Sequence, residues 1–400
     1  MQRHDVEVIV IGGGPAGTVA ALALASAGIE TALVAAVPPQ DNRTTALLMG
    51  SVAALETLGV WRHCCSQAAP LRGIRLIDAT ARLLRAPEVF FSAAEIGQEA
   101  FGHNVENNVL RAALAQCRAQ ARNLIAAEGR AIAITPAKDG IAVDLENGPR
   151  FHAKLVIGAE GRHSPSRLAA GIETERTTYP QTALTFNVAH ARPHDDVSTE
   201  FHTESGPLTL VPLPGRRSSV VWVLNPADAE RIADLSDTVL AAELERRCHS
   251  IMGRLTAEPG RGVFALAMER ARHFAANRVA LVGESAHVIP PIGAQGLNLG
   301  LRDAATIAEL VVNARRVGGD PGSAELLADY DRQRRADVAT RTFAVDWLNR
   351  SLLSDFLPLH GARGFALYLA EQIAPVRRAL MREGMFASAR APRLMRGEAL

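Results

Sequence analysis

An α/β fold carrying an inserted antiparallel sheet is predicted by three stretches of this 400-residue chain. Residues 6–11, VEVIVI, apolar but for Glu7, are a run of strand length leading into GGGPAG (12–17). A strand buried on both faces reads as such a run, not as an alternation. Between about 176 and 270, TALTFNVAH, PLTLVPLPG and SSVVWVL are short β-rich runs separated by Pro, Gly and charged turns, the pattern of antiparallel strands. RVALVGESAH (278–287) then returns to a strand ending in glycine.

Taken in order, 6–11 is the first strand. Pro15 to Ala27, rich in Ala and Leu, reads as a helix with Pro in its first turn, and Gly28 suits its C-terminal cap. Residues 31–36 form a second strand, which completes a Rossmann-like βαβ start. Apolar residues recur at helical spacing from Thr44 to Trp61 and from Val105 to Ala121. The stretch 131–157 alternates like strands and ends in AKLVIGAEG, a strand entering a tight turn. After 278–287 come a loop, 288–296, and a helix from Leu297 to about Arg315.

Four hundred residues is long for one core. The expected division is a Rossmann-like domain from 1–72, 96–175 and 272–340, a β-sheet domain from 73–95 and 176–271, and a helical segment over 341–400.

Lys plus Arg total 43 against 42 Asp plus Glu, so charge gives no reason to expect a nucleic-acid partner. Cys64, Cys65, Cys117 and Cys248 form no C-x-x-C pair and no metal-ligand spacing; reduced cytoplasmic thiols and no metal are expected. Asp5 and Glu7 precede the apolar N-terminal run and Gly12 to Pro15 break it, unlike a leader peptide. No apolar run approaches the roughly 20 residues of a spanning helix, so a soluble or peripheral protein is expected.

Gly12, Gly14 and Gly17 satisfy G-x-G-x-x-G between a strand and a helix opened by Pro15 and Ala16. The first glycine permits the tight turn, the second lets backbone approach a pyrophosphate, and the third lets helix and strand pack closely. The strand 31–36 lacks the acid that usually binds a ribose there: Ala35 and Ala36 stand at its end, with Asp41 or backbone near Val37 as substitutes.

The fingerprint alone does not separate a flavin from a nicotinamide nucleotide. VIGAEGRHSPSR (156–167) and VALVGESAHVIPPIGAQGLNLGLRD (279–303) do. The Gly283–Glu284 corner places a carboxylate where a polyol can be bonded. GAQG (293–296) opens a helix whose free N–H groups suit a polarised carbonyl edge or an anionic ring. Both are requirements of a flavin.

With these residues the chain resembles the FAD-dependent aromatic hydroxylases typified by p-hydroxybenzoate hydroxylase, and within them the ubiquinone-biosynthesis hydroxylases. The resemblance spans nearly the whole chain in order: GGGPAG, DNRTTALLMGSVAALETLGVW (41–61), VENNVLRAAL (105–114), GPLTLVPLP (206–214) and the two late motifs. It implies FAD as cofactor, with Arg43 and Arg111 on its phosphate and ribose side and Glu284 on the ribityl hydroxyls. Pro291, Gly293, Gln295, Gly296, Leu297 and Asn298 would line the isoalloxazine, mainly through backbone. Glu160 and Arg162 would lie near a transiently bound NAD(P)H. The family usually has Asp where Glu160 and Glu284 stand, and Arg43 has the alternative of a salt bridge to Asp41.

The implied activity is a monooxygenase using NAD(P)H and O2 to hydroxylate a phenol bearing an isoprenoid tail, with the Pro291 carbonyl near the hydroxyl. The alternatives are a hydroxylase of a small soluble aromatic and a non-catalytic flavin-binding scaffold of a ubiquinone-biosynthesis complex. The apolar stripe between Phe343 and Phe386 reads as helices packed on their own domain. Its other reading is a surface meeting a biosynthetic partner or the inner membrane peripherally, where a lipid-tailed substrate resides.

Overall fold

The computed structural model describes residues 3–37, 41–80, 85–146, 148–291, 293–353, 378 and 391–400, with 342–353 as backbone. A six-stranded sheet runs in the order Ala275–Ala276, Val279–Leu281, Leu155–Gly158, Val8–Ile11, Thr31–Ala35 and Leu124–Glu128. Every pairing except the first is parallel. The strand expected over 6–11 is Val8–Ile11, and Val8, Ile9 and Val10 are fully buried, which is why VIVI is an unbroken apolar run. The helix Pro15–Ser26 connects the strands Val8–Ile11 and Thr31–Ala35, and Gly28 follows it at φ 80°. Its residues 17 to 25 are all buried, because the helix Gln295–Arg316 covers its outer side.

The second, nine-stranded sheet runs His287–Val288, Gly262–Ala271, Thr174–His190, Arg217–Leu224, Gly206–Leu213, Val197–Thr203, Gly73–Asp78 and Val89–Ser92, with Leu255–Ala257 paired to Thr174–His190. Successive side chains of a strand point to opposite faces. Leu184, Phe201, Leu208, Leu210, Val220 and Trp222 form a core with residues of the helices Pro226–Ala233 and Asp237–Arg247. Thr185, Asn187, Thr209, Val211, Ser219 and Val221 face a cavity instead. The sheet is antiparallel except at one junction, where Val197–Thr203 runs parallel to Gly73–Asp78. No hairpin connects these two strands, so nothing forces an antiparallel arrival.

Three local expectations change. The run from Thr44 begins as a strand, Thr44–Leu48, paired with Gly102–Glu106, and the helix is only Met49–Thr57. The second helix likewise starts after Val105, as Asn107–Gln120. In both places a distant partner strand overrides local helical spacing. The helix expected from Leu297 starts at Gln295, because Ala294 adopts a left-handed φ of 54° that turns the loop into it. Near the C-terminus the helix Ala324–Leu353 is long, and most of the 343–386 stripe lies outside the described residues. Among the described residues no helix is long and apolar enough to cross a membrane.

A buried carboxylate ties the two sheets together. Asp303, fully buried on Gln295–Arg316, accepts the Gly283 N–H at 3.0 Å and the Arg334 Nε at 2.7 Å, with His287 Nε2 2.7 Å away. Burial pushes its carboxyl up, but the His287 and Arg334 charges and these hydrogen bonds outweigh that and hold it below the ordinary carboxylate range. Asp303→Asn is therefore expected to cost about 3–5 kcal/mol, the usual penalty for breaking a buried ion pair. Urea denaturation measures it; a loss under about 1 kcal/mol would show that the cluster does not anchor the fold.

Candidate active site

A cavity of about 1470 Å³ lies between the two sheets and is lined from both. One small-molecule ligand needs roughly 300–1,000 Å³, so there is room for a large cofactor and a second molecule. At one end sits the glycine turn. Gly12 has φ 117°, and a Cβ there would meet the Ala159 carbonyl oxygen at 2.2 Å. A Cβ on Gly17 would lie 2.1 Å from the Gly12 oxygen. Gly14 differs: a Cβ there would meet nothing within 4 Å, so its backbone is open to the cavity. Pro15 and Ala16, at the start of their helix, line the cavity beside it.

Gly283, at φ 61°, turns the chain at the end of Val279–Leu281. It packs so closely on the long helix that a Cβ on Gly300 would lie 3.0 Å from the Gly283 Cα. The next side chain, Glu284, lines the cavity, is 57% exposed, and has Arg162 at 3.6 Å. Its carboxylate is available to a ligand. Pro291, Gly293, Gln295, Gly296 and Leu297 line the cavity farther along.

Residues 5–344 match the family described as the FAD binding domain. The ubiquinone hydroxylase UbiL of Rhodospirillum rubrum is 34% identical, across 98% of this chain and 92% of that protein. The chain belongs to the FAD-dependent monooxygenases. The 3-demethoxyubiquinol 3-hydroxylase of Escherichia coli is 30% identical, covering 94% of this chain and 98% of that one. The crystal structure of the p-nitrophenol 4-monooxygenase PnpA of Pseudomonas putida superposes with a TM-score of 0.77 at 19% identity, over 96% of this chain and 98% of that one, which speaks for the fold.

The monooxygenase cavity gathers nearly every residue the sequence singled out, with different degrees of freedom. Arg43 and Arg111 both line it, and both bond Asp41. Asp41 Oδ1 accepts Arg43 N and Nε at 3.1 and 2.8 Å; Oδ2 accepts Arg43 Nη2 at 2.8 Å, Asn107 Nδ2 at 2.9 Å and Arg111 Nη2 at 3.3 Å. A carboxylate offers about four lone-pair sites, so Asp41 has no capacity left to replace the missing ribose acid. The Arg43 guanidinium also stands 5.2 Å from the centre of the Phe264 ring, which ties its loop to the nine-stranded sheet. Just past the C-terminal end of the strand Thr31–Ala35, the cavity wall is Ala36 and Val37, and Arg130 also lines it.

Glu160 lines the cavity, but its carboxylate is already occupied. Oε1 accepts Ser166 N at 3.0 Å and the Ser166 hydroxyl, and Oε2 accepts the Ser164 hydroxyl at 2.8 Å. It holds the start of the short helix Pro165–Ala169. Asn298 departs from expectation: it is absent from the cavity wall. Its Oδ1 accepts Leu48 N at 2.9 Å and the Ser51 hydroxyl at 2.6 Å, while Nδ2 donates to the Ala46 and Ala294 carbonyls at 2.8 and 2.6 Å. All its amide groups are used in bracing the helix start against the strand Thr44–Leu48.

Sequence reasoning missed Arg167, Asp303, Glu200 and His202. Buried Arg167 donates to the Ser285 and Arg162 carbonyls at 2.9 and 2.6 Å, pinning the 160s turn to the 283–285 corner. Arg167 and Asp303 end the two quoted late motifs, the one signal that marked them. Nothing in the sequence marked Glu200 or His202, which face the cavity from the β-sheet.

Two measurements probe this geometry. Gly14→Ala is expected to leave the stability of the FAD-free protein within about 0.5 kcal/mol while weakening FAD about tenfold or more. Gly17→Ala, facing a carbonyl, should lower the melting temperature of both forms; FAD titration with thermal unfolding separates the two. Burial pushes the Asp41 carboxyl up, but the Arg43 and Asn107 hydrogen bonds and the Arg43 charge prevail and hold it at about 2, below the ordinary 3.8. Its contribution to stability is present above pH 4 and lost as pH falls toward 2. Asp41→Asn should lower stability at pH 7 and flatten that acid limb; a limb as steep as wild type would assign it to other groups.

Proposed function

We propose that this flavoprotein hydroxylates the aromatic ring of a polyprenylated phenol in ubiquinone biosynthesis, with NAD(P)H and O2 as co-substrates. The observation that carries the reading is one cavity reaching from the glycine turn and the open carboxylate of Glu284 to the face of the nine-stranded sheet. The ubiquinone hydroxylases it resembles over almost their whole length support the substrate class.

In this reading the backbone at Gly12, Gly14 and Gly17 and the helix start at Pro15 and Ala16 hold the pyrophosphate. Arg43 and Arg111 face its phosphate and ribose side, their charge partly compensated by Asp41. Glu284, at the Gly283 corner, accepts the ribityl hydroxyls. Backbone at Gly293, Gln295, Gly296 and Leu297 borders the flavin ring, and Asn298 braces that loop from behind. Glu160 shapes the turn that presents Arg162 to NAD(P)H, for which the chain has no second glycine-rich fingerprint. When bound, FAD supplies the redox and oxygen-transfer chemistry; the protein orients the phenol, excludes water and offers the Pro291 carbonyl to its hydroxyl.

The proposed division of labour gives the cofactor to 1–72, 96–175 and 272–340 and the substrate to 73–95 and 176–271. Ile74, Leu76, Phe91 and Phe101 make an apolar part of the wall suited to an isoprenoid tail. A substrate so apolar resides in the bilayer, so peripheral contact with the membrane belongs to the same reading.

FAD-loaded protein supplied with NAD(P)H, O2 and 2-geranylphenol is expected to oxidise the reductant faster with the phenol present and to yield a product carrying one added oxygen. Product formed only from phenols without a tail would favour a hydroxylase of small soluble aromatics. Protein that retains no FAD would favour a scaffold.

A further inference from the structure

On the strand Val197–Thr203 the pleat sets Glu200 and His202 on the cavity face and Phe201 in the core behind. Glu200 Oε1 and His202 Nε2 are 2.8 Å apart, with side chains 16% and 3% exposed. The Thr209 hydroxyl donates to Glu200 Oε2 at 3.3 Å from the adjacent strand, which leaves the carboxylate further acceptor capacity toward the cavity. On the other side Leu76, in register with Glu200, makes the same wall apolar. An acid and an imidazole placed beside apolar side chains carry a desolvation cost, and neither takes part in the cofactor contacts assigned above.

We propose that Glu200 and His202 form the proton acceptor for the ring hydroxyl of the substrate. This rests on the phenol reading. A phenol becomes a stronger carbon nucleophile when it loses its proton. The Pro291 carbonyl can accept a hydrogen bond from the hydroxyl, but an amide oxygen does not hold a proton near neutral pH, so a side-chain base is needed as well. In the step, the phenolic O–H bond breaks and its electron pair stays on oxygen. The proton passes to Glu200 Oε2, while Oε1 keeps its hydrogen bond with His202 Nε2. No oxidant or reductant is required. Among the described residues, the charged group facing the pair from the neighbouring strand Gly73–Asp78 is Asp78, in register with His202. Its carboxylate accepts Thr80 N and Oγ1 at 3.1 and 2.7 Å and Ala86 N at 2.9 Å. From Gly206–Leu213, Pro207 and Thr209 face the pair in register and carry no charge.

The test uses FAD-loaded wild type, Glu200→Gln, His202→Gln and the conservative Glu200→Asp. Two probes are used: 2-geranylphenol for turnover and 2-geranyl-4-nitrophenol, whose phenolate absorbs visibly, for binding. The wild type is expected to bind the nitrophenol as phenolate below the pH at which the free probe ionises, and E200Q to bind it neutral. Turnover of 2-geranylphenol by E200Q should fall about 100-fold near neutral pH and recover as pH approaches about 10, where phenols ionise unaided. H202Q should shift in the same direction, and E200D should restore much of both readouts. FAD retention should be equal in all four proteins, which certifies the folded state. Bound phenolate undiminished in both E200Q and H202Q, or activity lost equally at every pH, overturns the proposal and leaves the pair as part of the cavity wall. A wild type that neither binds nor hydroxylates either phenol overturns the phenol reading itself, and the pair's role with it.

Discussion

The close approach of backbone at the ends of the parallel strands is the constraint on which the rest depends. Gly12, Ala159 and Gly283 belong to three distant stretches of chain, yet their strands are neighbours in one sheet. Gly12 lies so near Ala159, and Gly17 so near Gly12, that a single methyl group at either position would drive backbone apart. Gly283 is held against Gly300 in the same way. Because no side chains stand between these segments, their N–H groups and helix start border the cavity directly, which is what binding a pyrophosphate requires. Asp303 fastens the arrangement from behind, since the Gly283 N–H and His287 share one buried carboxylate with Arg334.

The second sheet contributes by having two unlike faces. One is sealed by Phe201, Leu208 and Trp222 under two helices, and the other turns threonines, serines, Glu200 and His202 toward the cavity. A cofactor-sized site on one sheet thereby shares its space with a mixed polar and apolar wall on the other. Arg43 spans the seam, paired with Asp41 on one side and lying over Phe264 on the other.

Acidic residues near the site divide by what already surrounds them. Asp41 and Glu160 are saturated by local donors and act as struts. Among the described residues Glu284 has only a loose ion pair, with Arg162, and is 57% exposed. The arm of Glu160, one methylene longer than an Asp, reaches the serines of the following turn. In the proposed reading, with Asp41 saturated, the adenosine end would be left to backbone and to the wall formed by Ala36, Val37 and Arg130.

The sequence by itself determined the βαβ start, the glycine turn and the Gly283–Glu284 corner. Each depends on residues a few positions apart, and the cost of a Cβ in a tight turn is a local property. It also marked the second sheet, because alternation along a strand is local too. Tertiary structure alone decided what those groups meet. Thr44–Leu48 became a strand because Gly102–Glu106 lies beside it. Asn298 was claimed by Ala46, Leu48 and Ser51, and Asp303 was placed against Arg334 from a separate helix. Glu200 and His202 read as ordinary strand polarity until register and sheet packing set them facing the cavity. Hydrogen-bond capacity and burial depend on partners distant in sequence, and no spacing within one segment encodes them.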